Sequence, residues 1–111
     1  MAKLTLKQLE LNRDGLMVLP LKGIKELTTM TEFLERFKDQ IYRYILKKIA
    51  FAVRNDIETI DMFVIEGTGY VLDSDYGDME EQLVNIRSYF EAKEEYEICA
   101  IAHKLLITIN K

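Results

Sequence analysis

Tryptophan is absent from this sequence, and cysteine, histidine and proline occur once each, at Cys99, His103 and Pro20. A single thiol cannot close an internal disulfide, so a disulfide-stapled scaffold is excluded and nothing points to an oxidising compartment. With no second Cys or His, the donor set that zinc favours is missing. Serine is nearly as scarce, at Ser74 and Ser88 alone, so a hydrolase triad has little to draw on. One Pro and five Gly leave few places to break the chain, which predicts long regular elements and few loops. Long apolar runs are lacking too. The longest nearly uncharged stretch, Lys104 to Asn110, is far too short to span a bilayer, so no membrane partner is expected. Met1 to Lys7 carries no continuous apolar run of the signal-peptide kind, and the cytoplasm is the expected location.

What remains is the composition of a folded chain. Its 111 residues are 49% hydrophobic and 31% charged, which argues against disorder and for one domain, 1–111. A chain of this size buries roughly 60–70% of its unfolded surface, enough for a core without staples. The charge is unevenly distributed. Residues 1–55 hold eleven Lys/Arg against six acids, a balance of +5, whereas residues 56–111 hold four against thirteen, a balance of −9. Such a split suits a basic surface, two mutually attractive faces, or two halves that pack together.

Along the chain, Leu4, Leu6, Leu9 and Leu11 precede Asn12-Arg13-Asp14-Gly15, and Asp-Gly is a hairpin signal because Gly accepts positive φ. Leu16 to Leu21 reads as the returning strand, with Pro20 confining it to an edge or an end. A short helix over 3–11 is the competing reading. Next, a Thr in the run Thr28–Thr31 caps a helix predicted to reach Arg54, with Leu34, Phe37, Ile41, Ile45, Ile49 and Ala52 on one face. Glu32–Arg36 and Asp39–Arg43 add ion pairs opposite it. From Ile41 on, Tyr42, Tyr44, Leu46, Phe51 and Val53 make the helix apolar nearly all round, so burial on more than one side is expected.

Ile60–Ile65 and Tyr70–Leu72 read as strands about the turn Glu66–Gly69. Ser74, Asp75 and Asp78 are candidate caps for a helix with the stripe Met79, Leu83, Ile86 and Phe90. The last helix, from about Glu94-Glu95, bears two apolar stripes: Tyr96, Cys99, His103, Leu106 and Ile98, Ile101, Leu105, Ile109. The fold class expected is α+β: an N-terminal β-hairpin, a long central helix, a second β-hairpin and a C-terminal antiparallel helix pair.

No constellation predicts an enzyme. Cys99 and His103 share a helical face, as a nucleophile and base would, but their neighbours Tyr96 and Leu106 predict a buried, inert pair. Asp73 to Asp78 opens like a calcium loop, yet its Gly falls at the fifth position and Val84 stands where a Glu belongs. Gly77 there reads as relaxing the backbone of a strand-to-helix turn. Gly67-Thr68-Gly69 lacks the following helix that a phosphate loop needs. Catalytic, cofactor and metal residues are therefore expected to be none.

The C-terminal segment Tyr89–Ile109 carries Tyr96-Glu97, then the small pair Cys99-Ala100, then Leu106. In this spacing it resembles the UVR-type helical hairpin, the interaction module of excision-repair subunits, with His103-Lys104 where that module has Arg-Asp. The resemblance implies a helix pair that docks on protein. The whole chain also resembles the small accessory proteins of tailed bacteriophages. The expected function is a non-catalytic protein-interaction domain, binding itself or another protein through Tyr42, Leu46, Phe51, Ile98, Ile101 and Leu105. The alternative is nucleic-acid binding through Arg43, Lys47, Lys48 and Arg54, interleaved with aromatics as in single-strand binders. A small enzyme of unknown class is the third reading.

Overall fold

The computed structural model describes residues 11–19 and 30–110, with side chains from Glu35 onward in the second stretch. In chain order the elements are strand β1 (Met17–Leu19), helix α1 (Met30–Arg54), strands β2 (Thr59–Ile65) and β3 (Val71–Asp75), and helices α2 (Tyr76–Ala92) and α3 (Tyr96–Ile109). The class is α+β, in the layout read from the sequence. The first hairpin arm over 3–10, Pro20-Leu21, the capping Thr run, the Leu34 side chain and the Glu32–Arg36 pair lie outside the described residues.

The Asp-Gly turn forms as its chemistry requires. Gly15 sits at φ +80°, and the Asn12 side-chain oxygen accepts from the amides of Asp14 and Leu16 at 2.9 Å each. Beyond it, Leu11 bridges antiparallel to Met17. β1 then joins the second hairpin of the sequence reading in one sheet of order β1-β2-β3. β1 runs parallel to β2, with Met17 beside Phe63, and β2 runs antiparallel to β3. A parallel pair needs a crossover, and α1 supplies it.

A buried tyrosine secures that parallel pair. The register of β1 directs the Met17 amide toward the Met62 carbonyl. Between them lies the Tyr44 hydroxyl, accepting from Met17 N at 3.0 Å and donating to Met62 O, with Gly15 O a further acceptor at 3.2 Å. The ring itself packs on Phe63, centroids 5.6 Å apart. Burial pushes the Tyr44 hydroxyl pKa up, and the Met17 amide opposes that shift.

Every described member of the predicted α1 stripe is buried: Phe37, Ile41, Ile45, Ile49 and Ala52. Tyr44 and Leu46 are buried as well, and Tyr42 and Val53 pack half-buried against the core, because α1 contacts β2 as well as both C-terminal helices. Phe51 departs from the pattern and faces solvent.

Helix α2 begins with a reciprocal cap: the Asp78 amide donates to Asp75 Oδ1 at 2.9 Å and the Asp75 amide to Asp78 Oδ2 at 3.1 Å. Gly77 corrects the sequence reading. It lies inside the helix, and a Cβ there would meet Asp75 Oδ1 at 3.3 Å, so it gives room to the capping carboxylate. The α2 stripe Met79, Leu83, Ile86 and Phe90 is wholly buried. Ser74 is buried beside it and accepts from Gln82 Nε2 at 3.1 Å.

Candidate functional site

Four charges connect α1 to the turn between α2 and α3. Arg43 Nε donates to Asp39 at 2.6 Å, one turn earlier on α1, and its Nη2 reaches both Glu95 oxygens at 2.7 and 2.9 Å. Lys93 Nζ reaches the second Asp39 oxygen at 2.7 Å and Glu95 at 3.8 Å. The Arg43 hydrogen bond holds the Asp39 carboxyl below its ordinary range, burial opposes this, and Lys93 adds to the lowering. Arg43 and Lys93 shift the other way, each held protonated chiefly by Asp39. Beside this network Tyr42 meets Tyr89 edge-on at 5.3 Å, with Lys38 and Lys93 near the Tyr89 face.

This arrangement divides the basic group singled out in the sequence. Arg43 is committed to Asp39 and Glu95 and also lies 4.9 Å from the Phe90 ring centroid. Lys48 approaches the Tyr44 ring, while Lys47 and Arg54 are exposed. Of the aromatics interleaved with them, Tyr42 and Tyr44 are turned into the fold and Phe51 is free. A row of cations beside open stacking faces is not assembled among the described residues.

The six apolar candidates divide similarly. Leu46 belongs to the core, and Tyr42, Ile98 and Leu105 pack half-buried against it. Phe51 is 53% exposed and lines a concavity of about 520 Å³ together with Lys48, Ile57 and Val71. Ile101 is 47% exposed on α3. The two exposed candidates, Phe51 and Ile101, thus lie on different helices.

Among the described residues, α3 carries three exposed large apolar side chains, more than any other element. Only Ala102 and Leu106 are buried there, while Cys99, Ile98, Leu105 and Ile109 lie half-buried at the core's margin. Ile101 and Ile107 are about half exposed and Tyr96 is 62% exposed. His103 is exposed as well, which overturns its expected burial beside Cys99. It turns to the surface because the buried arc is centred on Ala102 and Leu106, with 103 at the arc's edge. There His103 Nδ1 meets Arg87 Nη1 at 3.4 Å, and the Cys99 thiol donates to the Arg87 carbonyl at 3.5 Å. Ile107, His103 and Leu106 line one wall of a shallow groove of about 760 Å³, with Val84, Arg87 and Glu80 opposite on α2.

The exposed arc of α3 has an ordered composition. Positions 97, 100, 101, 104, 107 and 108 follow helical three–four spacing, and all six residues are exposed: Glu97, Ala100, Ile101, Lys104, Ile107 and Thr108. The sequence reading missed this face because it followed the two apolar stripes, and these six positions lie between and across them. Exposed charged residues alternating with Ile were the available signal. Elsewhere, among the described residues, no group of three or more His, Cys, Asp or Glu side chains is placed to hold a metal ion. No described helix is long and apolar enough to cross a membrane.

Comparison with protein-family models, with curated proteins and with solved structures finds no match for this chain.

Proposed function

We propose that this chain is a protein-interaction domain whose contact element is the C-terminal helix α3. The observation that carries this reading is the half exposure of Ile101 and Ile107 on the outer arc of α3, with Tyr96 exposed at its start. A helix packed on one side normally turns a charged face outward, since water solvates charge and gains nothing from aliphatic surface. Scattered exposed aliphatics are ordinary, but Ile101 and Ile107 stand about 120° apart at the two margins of the exposed arc, with Tyr96 at its start, and together leave apolar surface that association would cover. The helix stands on a rigid base, with α2 packed behind it through Leu83, Ile86 and Phe90 and the Arg43–Glu95 bridge at its start. Helix pairs that dock on protein are what the UVR-type resemblance implies, and α2–α3 supplies the pair. Nucleic-acid binding is less well supported, because Arg43 is taken up by Asp39 and Glu95.

A photo-crosslinking residue placed at position 101, and separately at 107, tests the reading in living cells. The expected result is discrete protein adducts at both sites and none at Asp61 on the sheet, which is exposed but polar. Adducts at 61 alone would refute the assignment to α3. Binding to DNA or RNA that weakens steeply with salt and needs Lys47 and Arg54 would refute the protein reading itself.

A further inference from the structure

Resting on that reading, we infer that the occupant of the α3 face is a second copy of this chain, docked antiparallel about a two-fold axis. The inference comes from the order of residues on the exposed arc. Glu97 and Lys104 lie on the same line of the helix, two turns apart, so about 10.5 Å separates them along the axis. They cannot pair with each other within one chain. Neither has an ion-pair partner among the described residues. Midway between them sit Ala100 and Ile101, both exposed.

A two-fold axis passing between positions 100 and 101, perpendicular to the helix, makes this arc complementary to itself. On either side of the contact line Ala100 then meets Ala100 of the partner subunit and Ile101 meets Ile101 of the partner subunit, so the two isoleucines cover each other while the small alanines let the helices come close. Glu97, four residues before Ile101, faces Lys104 of the partner subunit, and the symmetry repeats that ion pair on the other side of the axis. An isologous contact of this kind always forms each pair twice. The parallel arrangement in register would set Glu97 against Glu97 and Lys104 against Lys104, so charge selects the antiparallel form.

The size of the face sets the strength. A 14-residue helix is about 21 Å long. One such helix pair buries less than the roughly 800 Å² per partner of a standard stable interface, so a weak, concentration-dependent dimer is expected.

Analytical ultracentrifugation of the full chain from micromolar to millimolar concentration tests this directly. A monomer–dimer equilibrium that salt weakens is expected. Ile101→Asp should yield a monomer with unchanged circular dichroism. Glu97→Lys and Lys104→Glu should each weaken dimerisation at least tenfold, and the two together in one chain should restore it. For orientation, Glu97→Cys and Lys104→Cys chains, both carrying Cys99→Ala, are mixed and oxidised. Disulfides joining the two different chains are expected, and disulfides only between like chains would overturn the antiparallel arrangement. A monomer at millimolar concentration, or a dimer indifferent to the charge reversals, would overturn the proposal. If that monomer still gave photo-adducts to another protein at 101 and 107, the interaction face would stand and its occupant would differ.

Discussion

Replacing Tyr44 by Phe removes one oxygen atom and keeps the ring that packs on Phe63. The perturbation is therefore confined to the hydroxyl, which lies between the Met17 amide and the Met62 carbonyl. Each hydrogen bond contributes about 0.5–1.5 kcal/mol net, and a buried partner left unsatisfied costs about 1–3 kcal/mol. The strand register allows the Met17 amide to move toward the Met62 carbonyl and recover part of the loss. The expected destabilisation is thus about 1–3 kcal/mol. For a chain of this length that corresponds to a Tm lower by roughly 4–12 °C, at about 4 °C per kcal/mol. Urea unfolding followed by far-ultraviolet circular dichroism measures it, and an unchanged slope would show that only the stability had moved. Tyr70→Phe is the control, since Tyr70 is exposed and the change should stay within about 0.5 kcal/mol. If Tyr44→Phe behaved like Tyr70→Phe, the hydroxyl would contribute nothing to holding β1, and the account of the parallel pair would be wrong.

The charge network gives a pH dependence of definite sign. Because the folded Asp39 pKa is depressed, its contribution is present above the ordinary carboxylate range and is lost as pH falls through the lower folded value. Asp39→Asn should therefore reduce stability at neutral pH and flatten the acid limb of a stability–pH curve, read by thermal melts between pH 2 and 7; a parallel downward shift at every pH would contradict this. Phe51→Glu, at a residue 53% exposed, should leave unfolding within about 0.5 kcal/mol of the parent. A loss of several kcal/mol would place Phe51 in the core after all.

The long helix and the α2 stripe were legible because their apolar residues recur with the helical period, and packing followed the period closely. Phe37, Ile41, Ile45, Ile49, Met79, Leu83, Ile86 and Phe90 are all buried, as their spacing requires. The Asp-Gly turn and the Asp75 cap were legible for a different reason, since each depends on local backbone chemistry alone. The pairing of β1 with the second hairpin was not legible. β1 is three residues long, and its partner lies beyond the whole of α1, so no short-range pattern encodes the pairing. The surface was less legible still. Phe51, Tyr44 and Leu46 are all apolar residues off the main stripe of one helix, and only the placement of the neighbouring elements decides that Phe51 is free while the other two are enclosed. Arg43 read as a cation for phosphates although its pairing with Asp39 was legible, because its second partner, Glu95, is remote in sequence. His103 read as core for a similar reason: α3 is apolar on two sides, and the side that α2 covers is a tertiary choice.

The parallel pairing of β1 with β2 also orders the events of folding. Joining positions 17 and 63 closes a far longer loop than joining 64 and 71 across the second hairpin, and costs about 1.7 kcal/mol more in chain entropy. β2, β3, α2 and α3 are neighbours in sequence and can condense first, with α1 laid against them and Tyr44 already in position. β1, the shortest described strand, then docks last, held by its ladder with β2, the buried Met17 side chain and the Tyr44 hydroxyl. When it leaves, β2 is exposed along one side with unpaired amides and carbonyls. The species at risk of joining another chain through its sheet is therefore this opened form, and the strength of the Tyr44 contact governs how often it is visited.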